Sequence, residues 1–200
     1  AADGVAGEQT WNKLLPYLTG YTQITTLPGD TLASVASAYS TTQEAIETAN
    51  PFISDFNLTP NTTLTVPYGF DVVPENVKYS YFLTVLIVDG LRARYPFMSV
   101  SSAGESVMGR DLLYMTIGEG STEVFANASH HANEWITTPI LLKYAEDCLK
   151  AVSVGGYIDG EQASRLFEGK KLFVMPLVNP DGVDLVTGAL SAQSEFYLAA

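Results

Sequence analysis

The sequence predicts an α/β protein in which a small strand–helix–helix–strand unit precedes a larger layered domain. Between residues 21 and 67, short apolar strands flank two segments with helical spacing. From Tyr79 onward, strands and amphipathic helices alternate, which favours a mostly parallel or mixed sheet with helices on both sides. Residues 124–129 and 172–178 are apolar on both faces, which predicts two strands in the centre of that sheet.

Composition and charge limit the classes of partner. Hydrophobic residues make up 46% of the chain and charged residues 16%, as in ordinary globular proteins. The net charge of −12 repels phosphates, so we expect no nucleic acid partner. No segment reaches the ~18 apolar residues of a membrane helix, so we expect no transmembrane segment. The one cysteine, Cys148, excludes an intrachain disulfide and predicts a small core residue.

The first twenty residues predict one short helix that Thr10 can cap. The segment resembles the tail of a three-helix peptidoglycan-binding domain, through Asp3, Gly4, Gly7, Thr10 and Trp11. The alternative is a disordered leader with one isolated helix. Because the sequence begins without Met and without a leader pattern, we expect it to start inside a longer protein.

The next unit, residues 21–67, has the order strand, helix, helix, strand. A strand at 21–26 leads through a Pro-Gly-Asp turn into a helix that Asp30 or Thr31 can cap. A second helix ends before Asn50-Pro51, and a strand at 64–67 closes the unit. Residues 68–78 are predicted to form a linker.

This unit resembles a LysM domain, through Gly-Asp-Thr-Leu at 29–32, Asn-Pro at 50–51 and Leu-Thr-Val-Pro at 64–67. LysM modules bind the N-acetylglucosamine backbone of peptidoglycan or chitin, so the resemblance implies a glycan groove between two loops. The residues implied to bind glycan are Gly29, Asp30, Thr31, Asn50, Pro51, Phe52 and Ile53. The alternative is a small α+β spacer.

The larger domain, residues 79–200, begins with a helix whose inward residues are predicted to include Phe82, Val85, Leu86 and Leu91. The elements predicted in this domain are a helix at 79–95, strands at 98–103, 112–117 and 124–129, helices at 136–152 and 162–167, and a strand at 172–178.

The two histidines of the chain, His130 and His131, follow the third strand of this domain. Strand ends are where open α/β sheets place their sites. His131 and Glu134 can supply a nitrogen and an oxygen ligand to one ion, and a catalytic zinc takes three protein ligands and a water. The alternative is a helix-start pair in which the glutamate serves the helix dipole.

The surrounding pattern resembles the zinc carboxypeptidase family over about 120 residues. The matching pieces are Gly104-x-Ser106-x-x-Gly109-Arg110-x-Leu112, Ile117-Gly118, His131-x-x-Glu134-Trp135-Ile136 and Asn179-Pro180-Asp181-Gly182. The resemblance implies the N-terminal half of an α/β/α sandwich around a mixed sheet. It also implies that Zn²⁺ is held by His131, Glu134 and a later histidine, and that His130 has a supporting role.

The residue before Glu134 is Asn133, where family members that digest dietary protein have Arg. With residues 179–186 and the LysM pattern, this resembles the bacterial branch that cleaves γ-D-glutamyl–diamino acid bonds of peptidoglycan. The implied partners are glycan chains and stem peptides. The implied location is the cell wall or outside a bacterium, and the alternative is the cytoplasm of a sporulating cell.

No histidine follows His131 before Ala200. We therefore expect an incomplete fragment, whose third zinc ligand, general-base Glu and oxyanion-stabilising Arg lie beyond Ala200. The alternative is a non-catalytic peptidoglycan-binding protein with a degenerate peptidase-like domain.

Overall fold

The computed structural model describes residues 6–197, so Asp3 and Gly4 of the first pattern lie outside the described residues. The chain divides into two compact units. The first unit contains Ala1–Val72 and Asp89–Pro96, and the second contains Val73–Val88 and Phe97–Ala200. Together they have the mixed α/β architecture that the sequence predicts.

The first unit contains the predicted strand–helix–helix–strand order after an initial helix. Its elements are α1 (Glu8–Thr19), β1 (Tyr21–Thr25), α2 (Leu32–Ala38), α3 (Gln43–Ala49) and β2 (Thr63–Pro67). Strands β1 and β2 pair antiparallel, from Tyr21 opposite Pro67 to Thr25 opposite Thr63. Thr31 caps α2 by accepting a 3.0 Å hydrogen bond from the Ser34 amide.

A small hydrophobic core holds this unit together. Buried side chains of both helices and of β2 meet in it, namely Leu32, Val35, Ala36, Ile46, Leu64 and Val66. These six positions repeat at helical spacing in α2 and at every second residue in β2, which is the spacing that points them to one side. The core therefore follows directly from the periodicity of the sequence.

The predicted capping role of Thr10 is wrong. Helix α1 begins at Glu8, and Gly7 stands at the N-cap without a side-chain hydrogen bond. Thr10 therefore lies inside the first turn and does not precede it. The helix ends at Gly20, whose φ of 73° places it in the left-handed region that glycine adopts without strain.

The second unit is built on a mixed sheet. The elements that follow β2 are α4 (Tyr81–Arg94), β3 (Ser99–Glu105), β4 (Asp111–Ile117), β5 (Thr122–Asn127), a 3₁₀ turn (Ala132–Glu134), α5 (Thr137–Ser153), β6 (Tyr157–Ile158), β7 (Glu161–Gln162), α6 (Ala163–Leu166), β8 (Lys170–Met175) and α7 (Pro180–Thr187). Helix α4 is divided between the units at Val88–Asp89. The sequence analysis did not predict the hairpin β6–β7 or the helix α7.

In the described part of the chain the sheet has the strand order β3-β4-β8-β5. Strand β8 is central, as predicted, and pairs antiparallel with β4 and parallel with β5. Within residues 6–197, β5 pairs with β8 alone, so the prediction that β5 is also central in the complete sheet stays a prediction. Phe125 is consequently 58% exposed. An apolar run shows which strand favours burial, but the number of neighbouring strands decides whether burial occurs.

The predicted inward position of Phe82 is also wrong, since its side chain is 55% exposed. The buried face of α4 is centred on Thr84, Ile87 and Leu91. Phe82 lies two residues before Thr84 and therefore on the opposite side of a helix with 3.6 residues per turn. Cys148, in contrast, is fully buried in α5, as predicted.

Among the described residues, none of the helices combines the length and the apolar character required to cross a bilayer.

Replacing Leu64 with Ala tests the core of the first unit. Leu64 is fully buried, so we expect the change to lower the free energy of unfolding of this unit by about 2 to 5 kcal/mol. Leu27→Ala is the matched control, because Leu27 is 66% exposed and its truncation removes little buried surface. Hydrogen exchange of the β1 and β2 amides measures the stability of this unit in both variants. Equal losses of stability would contradict the assigned core.

Candidate functional site

The parallel pairing of β5 with β8 brings the segments that follow these strands together. The Val178 amide donates to the Ala128 carbonyl at 3.0 Å, and the Asn179 amide donates to the Ser129 carbonyl at 3.1 Å. Ser129 itself is buried and has a φ of 50°, which is uncommon for a residue other than glycine. The chain therefore turns sharply into residues 129–134, here named the His-Glu loop.

Three buried or partly buried hydroxyl groups hold the base of the His-Glu loop. The Thr137 hydroxyl accepts from the Ser129 amide and donates to the Glu134 carbonyl, both at 2.8 Å. The Thr138 hydroxyl donates to the Pro176 carbonyl at 2.6 Å. Because that bond uses the only proton of Thr138, the Ser129 hydroxyl donates to Thr138 at 2.7 Å. This chain of bonds ties the loop to α5 and to the end of β8.

The structure brings His131 and Glu134 together at the carboxyl end of β5. His131 Nδ1 lies 3.0 Å from Glu134 Oε1, and the His131 amide donates to Glu134 Oε2 at 3.4 Å. The side chains are 76% and 51% exposed, respectively. The hydrogen bond from the His131 side chain is the main cause that lowers the pKa of Glu134. The carboxylate is thus ionised and accessible.

These two groups fit zinc as neighbouring ligands. Imidazole nitrogen and carboxylate oxygen are both donors that zinc takes in catalytic sites. Their atoms lie 3.0 Å apart on the surface, close enough to reach one ion. Within residues 6–197, however, no cluster of three or more His, Cys, Asp or Glu side chains can hold a metal. His131 and Glu134 therefore offer two donor groups, and their assignment to zinc stays a prediction.

His130 does not approach Glu134 in the same way. Its side chain is exposed, and its ring meets the His131 ring edge-on with centroids 5.8 Å apart. A supporting role of His130 toward His131 stays a prediction.

Beside the loop lies an open cavity of about 710 Å³ within the second unit. One wall is the start of α5 with Trp135, Ile136 and Ile140, directly after Glu134. The other wall is formed by residues 73–79, most of which the sequence analysis assigned to a linker. The apolar residues Val73, Val77 and Tyr79 were the available signal that this segment packs against another part of its unit.

The residues implied to bind glycan lie on two loops of the first unit. Asp30 Oδ2 accepts from the Leu27 amide at 2.7 Å, so this side chain closes the turn before α2. The Asn50 side chain donates to the Ile46 and Thr65 carbonyls at 2.7 Å and accepts from the Thr65 amide at 3.0 Å. Asp30 and Asn50 are thus engaged in holding their loops, and their hydrogen-bonding capacity is largely used internally.

Asp55, which the sequence analysis did not single out, joins the two loops. Its Oδ1 accepts from the Leu32 amide at 3.0 Å, at the start of α2. Its Oδ2 accepts from Gln43 Nε2 at 2.9 Å, in the first turn of α3. Phe52, on the same loop, is 87% exposed. The loops form a braced surface that presents a free aromatic ring.

Comparison with known proteins gives two matching family models. The zinc carboxypeptidase model matches residues 85–193, more than half of the chain, and the LysM domain model matches residues 24–67. The His-Glu loop lies inside the first match, and both loops with the residues implied to bind glycan lie inside the second.

Three curated relatives match part of the chain. Gamma-D-glutamyl-L-diamino acid endopeptidase 1 of Lysinibacillus sphaericus is 38% identical over 109 residues, covering 54% of this chain and 28% of that protein. Uncharacterized protein YqgT of Bacillus subtilis is 42% identical, with 46% and 25% covered. A zinc carboxypeptidase of Saccharothrix mutabilis subsp. capreolus is 31% identical, with 45% and 21% covered. The chain spans about a quarter of the length of these relatives.

Thr138→Val tests the hydroxyl chain under the His-Glu loop. The change keeps the shape of the side chain but removes the hydroxyl that donates to the Pro176 carbonyl. It also removes the shortest partner of the Ser129 hydroxyl, which keeps only the longer contacts to the Glu134 carbonyl and Thr137. We expect a loss of about 1 to 3 kcal/mol in the free energy of unfolding, measured by chemical denaturation. Thr122→Val at an exposed position of β5 is the control and should change stability by less than about 0.5 kcal/mol. Equal stabilities of the two variants would refute the assigned network.

Proposed function

The chain belongs to the zinc carboxypeptidase family, and from that membership we propose that it forms part of a zinc peptidase acting on bacterial peptidoglycan. The observation that carries the proposal is the His131–Glu134 pair, whose donor atoms lie 3.0 Å apart inside the segment that matches the family. The relative at 38% identity is named for cleavage of γ-D-glutamyl–diamino acid bonds. We assign the same bond class as the substrate of the whole protein.

In this proposal His131 Nδ1 and the Glu134 carboxylate hold the zinc ion. Zinc in such a site supplies a Lewis acid for the scissile carbonyl and a bound water of lowered pKa. The two side chains already stand next to each other and are exposed, with His131 Nδ1 3.0 Å from Glu134 Oε1. Ser129 and Thr137 hold the loop backbone on which Glu134 stands.

The first unit, in this proposal, holds the peptidase on its substrate. The residues that we assign to glycan binding are Gly29, Asp30, Thr31, Asn50, Pro51, Phe52 and Ile53. The exposed ring of Phe52 offers an apolar face to a sugar, while Asn50 and Asp55 keep its loop in place. Attachment to the glycan raises the effective concentration of stem peptides at the catalytic centre. The location that fits these partners is the bacterial cell wall or the space outside the cell.

Glu134→Ala in the full-length protein tests the zinc assignment. Removing a ligand should abolish both zinc retention and hydrolysis of a γ-D-glutamyl–diamino acid peptide, because the site loses charge and a donor atom. Zinc content is measured by atomic absorption after dialysis. Glu119→Ala is the control, since Glu119 is also exposed but lies outside the loop. Full zinc content in Glu134→Ala would favour a non-catalytic, peptidoglycan-binding protein.

Phe52→Ala tests the glycan surface in the whole chain. We expect saturable binding of chitin oligomers by the parent chain and at least about tenfold weaker binding by the variant, since an exposed aromatic anchor contributes more than 1.4 kcal/mol. Phe56→Ala is the matched control, because Phe56 is fully exposed nearby in the same loop but outside residues 50–53. Isothermal titration calorimetry measures the dissociation constant of chitin oligomers for both variants. Equal losses in the two variants would remove Phe52 from the assigned surface.

A further inference from the structure

Arg110 stands at the centre of a cluster that the proposed function does not use. It lies in the turn between β3 and β4, and its side chain is 18% exposed. Its Nη2 lies 2.9 Å from Asp184 Oδ2, and its Nη1 lies 3.5 Å from Asp181 Oδ1. Nη1 also donates to the Pro180 carbonyl at 3.0 Å. A single guanidinium therefore holds three groups on the first turns of α7.

The two carboxylates have further partners that hold them in the same place. Asp181 accepts from the Ser106 hydroxyl at 2.9 Å and from the Met108 amide at 3.1 Å, both in the turn that carries Arg110. Asp184 accepts from the Tyr81 amide at 2.8 Å. Burial raises the pKa of Asp184, and the Tyr81 amide and the Arg110 guanidinium oppose that rise. Arg110 thus contacts both carboxylates, each of which is also held by a further donor.

Helix α7 in turn contacts the His-Glu loop at two points. Its N-cap residue Asn179 donates its amide to the Ser129 carbonyl at 3.1 Å, and its side chain accepts from the Gly182 amide at 2.9 Å. Gly182 packs so closely that an added Cβ atom would come within 2.9 Å of the Ala132 Cβ. α7 therefore contacts both the start of the loop and the turn between His131 and Glu134.

We propose that Arg110 is a positioning residue for the zinc ligands His131 and Glu134, acting through the first turn of α7. This inference rests on the proposed function. Arg110 fixes Pro180, Asp181 and Asp184, and α7 then holds the loop through contacts other than those of the Thr137 and Thr138 hydroxyls. Residues that orient metal ligands from outside the coordination shell commonly affect metal affinity about 10- to 100-fold.

A role in general folding predicts something different. In that case loss of the Arg110 fork would loosen the whole second unit and leave the zinc affinity of the folded fraction unchanged. The positioning role predicts a change in zinc affinity at temperatures where the variant remains fully folded. Zinc affinity and local hydrogen exchange therefore separate the two roles.

The experiment uses Arg110→Lys in the full-length protein, with Zn²⁺ alone as the probe and a chromophoric chelator as competitor. Lys keeps the positive charge beside the carboxylates but cannot bridge three acceptors with a planar fork. We expect at least about tenfold weaker Zn²⁺ binding and faster exchange of the Glu134 and Val183 amides. Arg92→Lys is the matched control, because Arg92 is exposed and pairs only locally with Asp89 in the described structure.

Asp184→Asn provides a second route to the same test if Arg110→Lys does not fold. It keeps the size of the side chain and weakens the bond to Arg110, and it should reduce Zn²⁺ affinity in the same direction. The control condition is that Glu134→Ala abolishes Zn²⁺ binding. Under that condition, the inference is overturned if a folded Arg110→Lys or Asp184→Asn variant binds Zn²⁺ within about twofold of the parent affinity. Unchanged Zn²⁺ binding in Glu134→Ala overturns the proposed function itself.

Discussion

The parallel pairing of β5 with β8 is the constraint on which the candidate site depends. It aligns Thr122 with Lys170 and Asn127 with Met175, so the carboxyl ends of both strands lie at the same edge of the sheet. The segments that follow must then run side by side, and the amides of Val178 and Asn179 bond to the carbonyls of the other segment. The two strand ends are more than forty residues apart in sequence. Their hydrogen bonds place α7 beside the His-Glu loop.

The site combines exposed ligands with buried supports. The proposed zinc ligands His131 and Glu134 are open to solvent, whereas the side chains of Thr138, Asp181 and Asp184 are buried. Buried polar groups are costly unless they are paired, so each of these side chains is held by partners with defined geometry. Two kinds of interaction hold the site in place. Hydrogen bonds between neutral hydroxyls hold the base of the loop, and a cluster of ion pairs holds α7.

The first unit also combines an exposed candidate binding group with buried and hydrogen-bonded supports. Its core is apolar and local, and the polar side chains of Asn50 and Asp55 bond their loop to neighbouring helices and to β2. Asn50 spans α3 and β2, while Asp55 spans the starts of α2 and α3. Phe52 remains free on a loop whose backbone is held at both sides. A binding loop carried by a rigid scaffold loses less conformational freedom when it meets a ligand.

The sequence by itself determined most of the elements, the core of the first unit and the identity of the His131–Glu134 pair. Periodicity, capping and a spacing of three residues act over one or two turns of chain. Tertiary structure alone decided that β5 is exposed on one side within the described chain, that Phe82 faces outward, and that Arg110 reaches α7. It also decided that Asp55 braces two loops and that residues 73–79 line a cavity. These features depend on contacts between residues that lie 12 to about 74 positions apart in sequence. A local sequence pattern does not show whether such distant residues meet.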